Sequence, residues 1–312
     1  MKVWESPEQF HSERRSVVTV GNFDGVHTGH RVLIHEVVHR ARDQGFCSIV
    51  VTFEPHTRTV LNPSSPQPIM STFEEKVVLL ERLGVDHVVR IAFDDSFRRL
   101  TAAQFVERVI AGQLHAAEWV MGTGHTFGCD RVSPQNSLHE LMSRNDISAF
   151  TVKLLTDSQS VVSSTGIRGA IDKGEIARAV MMLGHPYLIA APRVHGQGLG
   201  TKLGFPTLNF AEPPPHKVLP PPGVYAAQVQ AGSTFTQGAL YFGACPTFGC
   251  REAHFELHLL EDAREVPSMG ETGLLWLHRH IREDRKFADS DELVAQIRKD
   301  VQSIQRFFSE EK

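Results

Sequence analysis

The chain has 312 residues, of which 41% are hydrophobic and 22% charged, a globular composition with room for about two domains. Its 36 acidic and 32 basic side chains give a formal net charge of −4, which argues against nucleic-acid binding by bulk charge. No apolar run reaches the roughly 18–20 residues of a membrane-spanning helix, and segment 1–9 lacks a signal-peptide core. The four cysteines lie far apart or outside any CxxC pair, as free thiols do in a reducing compartment. We therefore predict a cytoplasmic protein that binds neither nucleic acid nor membrane.

The first half of the chain alternates predicted strands and helices. Short apolar strands are expected at 16–20, 46–53, 86–91, 118–121 and 149–155. Helices are expected at about 27–42, 72–83, 101–111 and 137–144. Strand–helix–strand repeats at this spacing predict a parallel sheet in a doubly wound α/β domain. Such domains bind ligands at the carboxyl ends of their strands.

The loop after the first apolar strand has the composition of a ligand-binding turn. It reads Gly-Asn-Phe-Asp-Gly-Val-His-Thr-Gly-His over residues 21–30. Gly21 and Gly25 allow the chain to turn and to approach a ligand closely. Asn22 and Asp24 suit the turn between them.

Two histidines follow at the predicted start of a helix. Backbone N–H groups and the positive end of the helix dipole favour an anion at such a position. His27 and His30, on either side of Gly29, add imidazole donors aimed at the same place. We therefore predict a nucleotide-phosphate site; the alternative is a polar turn with two incidental histidines.

A zinc-protease motif overlaps the same helix. His35, Glu36 and His39 match HExxH, in which two histidines share a helix face. No third ligand with supporting sequence context follows, so we predict no zinc site here.

A second predicted helix start lies near residue 164. Ser164 and Thr165 precede Arg168, and helices are expected at 167–171 and 176–182. Hydroxyl groups and an arginine at a helix start form a second phosphate-binding feature. The alternative is an ordinary capped helix, which has the same sequence pattern.

The pattern changes after residue 184. Short strands are expected at 187–194, 223–230, 236–241 and 254–261, between turns rich in glycine and proline. This is typical of a β-barrel or sandwich, and an amphipathic helix at 290–308 closes the chain. We predict two domains, residues 1–184 and 185–312.

Residues 196–209 contain a candidate nucleotide site. Gly196, Gly198 and Gly200 expose backbone N–H groups that can cradle phosphates. Thr207 and Asn209 are two residues apart on an extended chain, so their side chains point the same way. A hydroxyl and an amide carbonyl are hard oxygen ligands that suit Mg²⁺ carrying a nucleotide.

The strand near residue 256 alternates cleanly. Phe255 and Leu257 face one side and Glu256 faces the other. A carboxylate fixed on a strand is a candidate general base toward an alcohol; a solvated face gives the same pattern.

In this order, the motifs resemble the bifunctional riboflavin kinase/FMN adenylyltransferase family over nearly the whole chain. The matching segments are GNFDGVHTGH, TFEPH, SSTGIR, LGHPY, LGFPTLN, PGVYA, PTFG and FELHLLE. The resemblance implies a nucleotidylyltransferase α/β domain, then a riboflavin kinase β-barrel with a C-terminal helix. It implies that riboflavin and then FMN react with ATP in the presence of Mg²⁺, giving FMN and then FAD with release of pyrophosphate. Riboflavin, FMN and ATP are thus the expected small-molecule partners, and the oligomeric state stays open.

The resemblance also implies residue roles. Glu256 is the base of the kinase, Thr207 and Asn209 hold Mg²⁺–ATP, and His27 and His30 bind the ATP phosphates of the adenylyl transfer. Arg168 closes over the triphosphate with Ser164 and Thr165. The remaining ATP-binding residues are Gly21, Asn22, Phe23, Asp24, Gly29, Gly196, Gly198 and Gly200. The flavin lies near His56 and Phe127.

Several positions depart from the family pattern. They are Thr57, in place of a proline, and Gly124, His125, Leu199, Thr201 and Tyr241. Two alternatives therefore stay open: an FMN adenylyltransferase whose barrel only binds flavin or serves a structural role, and a non-catalytic flavin or nucleotide sensor.

Overall fold

The computed structural model describes residues 1–123, 128–130, 138–152, 162–196, 198–244, 254–260 and 270–310. The chain divides into two compact units, Met1–Val162 (the first unit) and Ser163–Lys312 (the second unit). In the described part of the chain, no helix combines the length and the apolar character needed to cross a membrane.

The first unit is built on parallel strands. They are Lys2–Trp4 (β1), Ser16–Val20 (β2), Cys47–Glu54 (β3), His87–Ala92 (β4), Ala116–Gly122 (β5) and Ser148–Val152 (β6). The helices are Thr28–Gln44 (α1), Thr57–Leu61 (α2), Phe73–Glu81 (α3), Ala102–Phe105 (α4) and Leu138–Arg144 (α5). A π-helical segment, Val106–Gln113, continues α4, and Thr101 caps α4.

The strand order β1-β4-β3-β2-β5-β6 confirms the predicted doubly wound sheet. All five residues of β2 are buried, and β2 pairs in parallel with both β3 and β5. The chain leaves β2 toward β3 and β4 and later returns on the other side as β5 and β6. The loop after β2 therefore lies at the switch point of the sheet, where such folds bind ligands.

The second unit contains a closed barrel. Its helices are Ser164–Asp172 (α6), Ile176–Leu183 (α7), Leu199–Lys202 (α8) and Ser290–Glu310 (α9). Its strands are Tyr187–Val194 (β7), Thr207–Phe210 (β8), Gly223–Ala231 (β9), Thr234–Gly243 (β10), His254–Leu259 (β11) and Thr272–Glu283 (β12). The strands close in the order β10-β11-β8-β7-β12-β9, so of the two predicted β architectures the barrel is the one formed.

Large aromatic side chains fill the barrel and α9 covers it. Phe210, Tyr225 and Phe255 are each 0% exposed. On α9, Ile304 and Phe308 pack with Val224, Ala226 and Ala239. The amphipathic pattern of the last predicted helix is thereby explained.

The division between the units falls before α6, whereas the predicted domain boundary followed α7. Helix α7 packs on α6 and on the barrel strands β7 and β12. These contacts group both helices with the second unit.

Acid sensitivity of the second unit is expected from His278. Burial lowers the pKa of His278 to about 4, from an ordinary value of 6.5. As the pH falls from 6.5 to 4, the unfolded chain takes up a proton that the folded chain refuses, so stability is progressively lost over this range. We expect the thermal midpoint to drop less between about pH 7 and about pH 5 for His278→Gln than for the wild type. Glutamine can keep the contact to Gln228, and equal drops would assign the effect to other groups.

Candidate active sites

The loop between β2 and α1 has a strained backbone. Phe23, Gly25 and Val26 have φ values of 47°, 71° and 40°, a region that costs a β-branched valine most. The Phe23 and Val26 side chains are 1% and 0% exposed, and this packing holds the conformation. Such strain is concentrated at ligand-binding sites. Gly21 is needed for space instead, because a Cβ there would lie 3.2 Å from the Phe23 ring.

Asp24 shapes this loop from beneath. Its Oδ1 accepts hydrogen bonds from the backbone N–H groups of Met70 (2.8 Å) and Ser71 (3.0 Å). The Ser71 hydroxyl in turn accepts from the Gly25 N–H at 2.8 Å. Since Asp24 is 3% exposed, its carboxylate anchors the turn to the segment before α3.

Asn22 is held from two directions. Its Nδ2 donates to Thr57 Oγ1 at 2.9 Å and its Oδ1 accepts from the Thr57 N–H at 3.2 Å. Its carbonyl oxygen accepts from the Thr52 hydroxyl at 3.2 Å. The proline that the family pattern has in place of Thr57 could supply neither the N–H nor the hydroxyl.

The two predicted histidines come together at the start of α1. His27 is the N-cap residue, and its ring stacks on that of His30, with centroids 3.6 Å apart and planes 18° apart. Phe23 contacts His30 edge-on at 5.3 Å, so the buried Phe23 ring positions His30. A Cβ on Gly29 would make ordinary van der Waals contact with the His27 ring, at 3.4 Å. The pair sits where a helix start favours phosphate.

The predicted flavin-binding residues are only partly described. His56 caps α2, its Nδ1 accepting from the Arg58 N–H at 3.2 Å. Phe127 lies outside the described residues, as do Gly124 and His125.

The hydroxyl-rich helix start is real, but it begins earlier than predicted. Helix α6 starts at Ser164, and Ser163 caps it by accepting from the Gly166 N–H at 3.1 Å. Arg168 is 9% exposed on this helix. Because α6 belongs to the second unit, the roles of Ser164, Thr165 and Arg168 toward a triphosphate stay predictions.

In the barrel, strand register brings the other predicted residues together. Glu256 on β11 pairs with Asn209 on β8, and His258 pairs with Thr207. Glu256 Oε2 accepts from the Thr207 hydroxyl at 3.5 Å, and its Oε1 lies 2.8 Å from His254 Nε2. The Glu256 side chain is only 20% exposed. The polar side chains on this face of β11 are therefore hydrogen-bonded to one another and partly buried, unlike those of a solvated face.

Two cavities meet at this cluster. One holds about 880 Å³ of empty space, part of it open solvent, and its lining includes Thr207, Glu256 and the apolar side chains of Leu203, Phe205, Phe287, Leu293 and Ile297. The other is lined by His195, Gly196, Thr207 and Asn209. Thr207 lines both, so a flat apolar group in one cavity and a phosphate chain in the other would meet beside Glu256.

The glycines bring their loop close to β8. A Cβ on Gly196 would lie 2.3 Å from Asn209 Nδ2, and one on Gly200 would lie 2.3 Å from the Phe205 carbonyl oxygen. Gly198 has a φ of 69°, which favours glycine. Gly200 is therefore required for close packing against backbone, whereas a side chain at Gly196 would force the Asn209 amide to shift. All three glycines were predicted to bind ATP.

The residues of the HExxH motif lie on α1. His35 and His39 are exposed on α1, and Glu36 accepts from Arg40 at 2.6 Å. Across the described ranges, no group of three or more His, Cys, Asp or Glu side chains is placed to hold a metal ion.

Sequence reasoning missed two groups of residues. Lys76 is 4% exposed on α3, beneath the loop between β2 and α1. The available signal was its spacing from Phe73 and Leu80, on the apolar face of the helix. The apolar cavity wall was missed because Leu293 and Ile297 continue the buried face of α9 and look like ordinary core.

Comparisons with known proteins agree with this geometry. The family model for FAD synthetase matches residues 9–166, and that for riboflavin kinase matches residues 183–308. The bifunctional riboflavin kinase/FMN adenylyltransferase of Escherichia coli K12 is 32% identical, covering 94% of this chain and 92% of its own length. That of Bacillus subtilis is 31% identical, covering 95% and 94%.

A solved structure from Streptococcus pneumoniae, described as a macrolide-efflux protein, has a TM-score of 0.80 to this chain. It is 28% identical, and the match covers 97% of this chain and 98% of that one. Both domain matches, in this order and over nearly the whole chain, show that this protein belongs to the bifunctional riboflavin kinase/FMN adenylyltransferase family of transferases.

Proposed function

We propose that the second unit phosphorylates riboflavin to FMN and that the histidine site of the first unit adenylylates FMN to FAD, each reaction using one ATP. The observation that carries the kinase assignment is Glu256, which accepts from the Thr207 hydroxyl at 3.5 Å where two cavities meet. The stacked His27 and His30 at the start of α1 support the second assignment.

In the kinase reaction, Glu256 takes the proton of the riboflavin 5′-hydroxyl. The alkoxide oxygen bonds to the γ-phosphorus of ATP as the bond to the bridging oxygen breaks, and ADP leaves. His254, 2.8 Å from the other carboxylate oxygen, holds the Glu256 side chain in place. The isoalloxazine ring suits the apolar cavity, and the nucleotide suits the cavity beside His195 and Asn209.

The residues around Thr207 fit Mg²⁺. Asn209 Nδ2 donates to Thr207 Oγ1 at 3.4 Å, so the two side chains are adjacent beside the Glu256 carboxylate. The ligand atoms would be the oxygens, Thr207 Oγ1 and Asn209 Oδ1. Mg²⁺ binds few protein oxygens and otherwise keeps waters and substrate phosphates. Thr207 and Asn209 would hold it, and it would neutralise charge on the transferring phosphoryl group.

In the adenylyl transfer, an FMN phosphate oxygen attacks the α-phosphorus of ATP and pyrophosphate leaves. The nucleophile is already anionic, so no protein base is needed. Catalysis then comes from positioning and from charge stabilisation. The first turn of α1, with His27 and His30, supplies donors for the triphosphate.

The assignment is tested with purified protein, ATP and Mg²⁺, supplying riboflavin in one reaction and FMN in another. We expect FMN and then FAD from the first, and FAD with pyrophosphate from the second. If FMN were the sole product of the first reaction and the second reaction gave no FAD, the adenylyltransferase assignment would be refuted. FAD from FMN with riboflavin unchanged would remove the kinase, and flavin binding without turnover would leave a sensor.

Gly196→Ala should impair the kinase selectively. The new Cβ would lie 2.3 Å from Asn209 Nδ2, so either the loop or Asn209 must move. A displacement of this size in a phosphoryl-transfer site costs on the order of 10²-fold in kcat/KM, measured as FMN formed from riboflavin. Gly270→Ala is the matched control, because Gly270 lines the same cavity and a Cβ there meets none of the described residues within 4 Å. Equal effects of the two substitutions would contradict the packing argument.

A further inference from the structure

A buried lysine lies beneath the phosphate-binding loop of the first unit. Lys76 is 4% exposed, and its Nζ donates to Thr52 Oγ1 at 2.9 Å. Burial lowers the pKa of Lys76, while the nearby charges of Asp24 and Glu54 act in the opposite direction. A lysine is seldom fully buried without such partners, and the site chemistry described above makes no use of it.

The donor inventory fixes the direction of the hydrogen bonds around Thr52. An ammonium group only donates, so the Thr52 hydroxyl must accept from Lys76. Its single proton is then available for the Asn22 carbonyl oxygen, which lies 3.2 Å away. Lys76 thereby orients a hydroxyl that holds the backbone of the loop.

The hydrogen bonds from Lys76 to Thr52 and from Thr52 to Asn22, here called the relay, end on the part of the loop that leads to His27 and His30. Beyond its carbonyl, Asn22 is tied through its side chain to both the hydroxyl and the N–H of Thr57. Asp24, two residues on, is tied to Met70 and Ser71. The loop is thus fixed at separate points by β3, α2 and the segment before α3.

We propose that Lys76, acting through Thr52, is a positioning residue for adenylyl transfer. It sets the orientation of the Asn22 carbonyl and, with it, the path of the loop that presents His27 and His30 to the triphosphate. The inference rests on the proposed adenylyltransferase function of the first unit. It differs from a purely structural role, in which Lys76 only balances the buried charge of Asp24.

Substitutions at Thr52 separate the two roles. Thr52→Val keeps the volume of the buried side chain but removes the hydroxyl, whereas Thr52→Ser keeps the hydroxyl and loses a methyl group. Packing alone predicts that serine is the more harmful change, because Thr52 is 0% exposed. The relay predicts the opposite order for activity.

The experiment measures kcat and KM for ATP in the conversion of FMN to FAD, with thermal unfolding of the same samples. For Thr52→Val we expect kcat/KM for ATP to fall by about 10- to 100-fold, with Thr52→Ser within about threefold of wild type. Lys76→Met should lower kcat/KM to a similar extent as Thr52→Val. Lys76→Met also removes a buried charge partner of Asp24. If this variant does not fold for that reason, the comparison of Thr52→Val with Thr52→Ser decides whether Lys76 positions the loop. Thr57→Val removes the hydroxyl that accepts from Asn22 Nδ2 but keeps the N–H that donates to Asn22 Oδ1. It should lower the same constant, with Thr59→Val on the same helix as its control.

The outcomes distinguish this inference from the function it rests on. Wild-type protein that makes no FAD from FMN would remove the proposed adenylyl transfer itself. An active wild type with equal activity for Thr52→Val and Thr52→Ser, or lower activity for the serine variant, would overturn the relay. Loss in the valine variant with rescue by serine supports it.

Discussion

Glu256→Gln is expected to abolish riboflavin phosphorylation while the conversion of FMN to FAD continues. Glutamine is nearly isosteric with glutamate and can still bond to Thr207 and His254, but it cannot take the proton of the riboflavin hydroxyl. Loss of a general base typically costs 10²- to 10⁴-fold in rate, so kcat for FMN formation should fall by about that factor. The measurement follows FMN from riboflavin and, separately, FAD from FMN.

Glu212→Gln is the control for this experiment. Glu212 is an exposed carboxylate of the same unit, so its neutralisation repeats the change in charge without touching the cluster around Thr207. Both rates should stay near wild type. If Glu256→Gln slowed both reactions equally, separate sites for the two reactions would be refuted.

His30→Ala is expected to have the reverse effect, stopping FAD formation from FMN and sparing riboflavin phosphorylation. The substitution removes an imidazole at the helix start and the ring that stacks on His27 at 3.6 Å. Loss of one donor to a developing charge costs about 10²- to 10³-fold in kcat, measured as pyrophosphate released with FMN and ATP.

His35→Ala provides the comparison for that variant. His35 lies on the same helix but is exposed, so it tests for any effect of losing a histidine from α1. Unchanged FAD formation in His30→Ala would show that the stacked pair does not contact the triphosphate. A loss in His35→Ala equal to that in His30→Ala would point to the stability of the helix.

The first unit could be predicted well because its buried strands carry strong local signals. Strand β2 is apolar on both faces, and α3 and α4 begin at threonine caps, each with a capping box. The barrel was harder. Strand β12 was missed because His278, Arg279, His280 and Arg282 interrupt its apolar pattern. Their surroundings are supplied by distant elements such as α9, which spacing along the chain does not reveal.

The sites divide in the same way. The proximity of Glu256, Thr207 and Asn209 was predictable because alternation on a strand fixes which side chains share a face, and register then opposes β8 to β11. Lys76 and Thr52 were not predictable as partners, since they lie on different elements and meet only through tertiary packing at 2.9 Å. The local sequence pattern specifies which face of a strand a side chain occupies and where a helix begins. The contacts that hold a loop from below form only when the whole sheet has folded.

The shared position of Thr207 has a thermodynamic consequence. Because one side chain lines both cavities, any shift of it that accompanies binding in one cavity reshapes the wall of the other. With the proposed flavin in one cavity and the proposed nucleotide in the other, the two affinities would be linked. The factor by which nucleotide alters flavin binding would then equal the factor by which flavin alters nucleotide binding. Thr207 would thereby couple the two proposed occupants of the barrel.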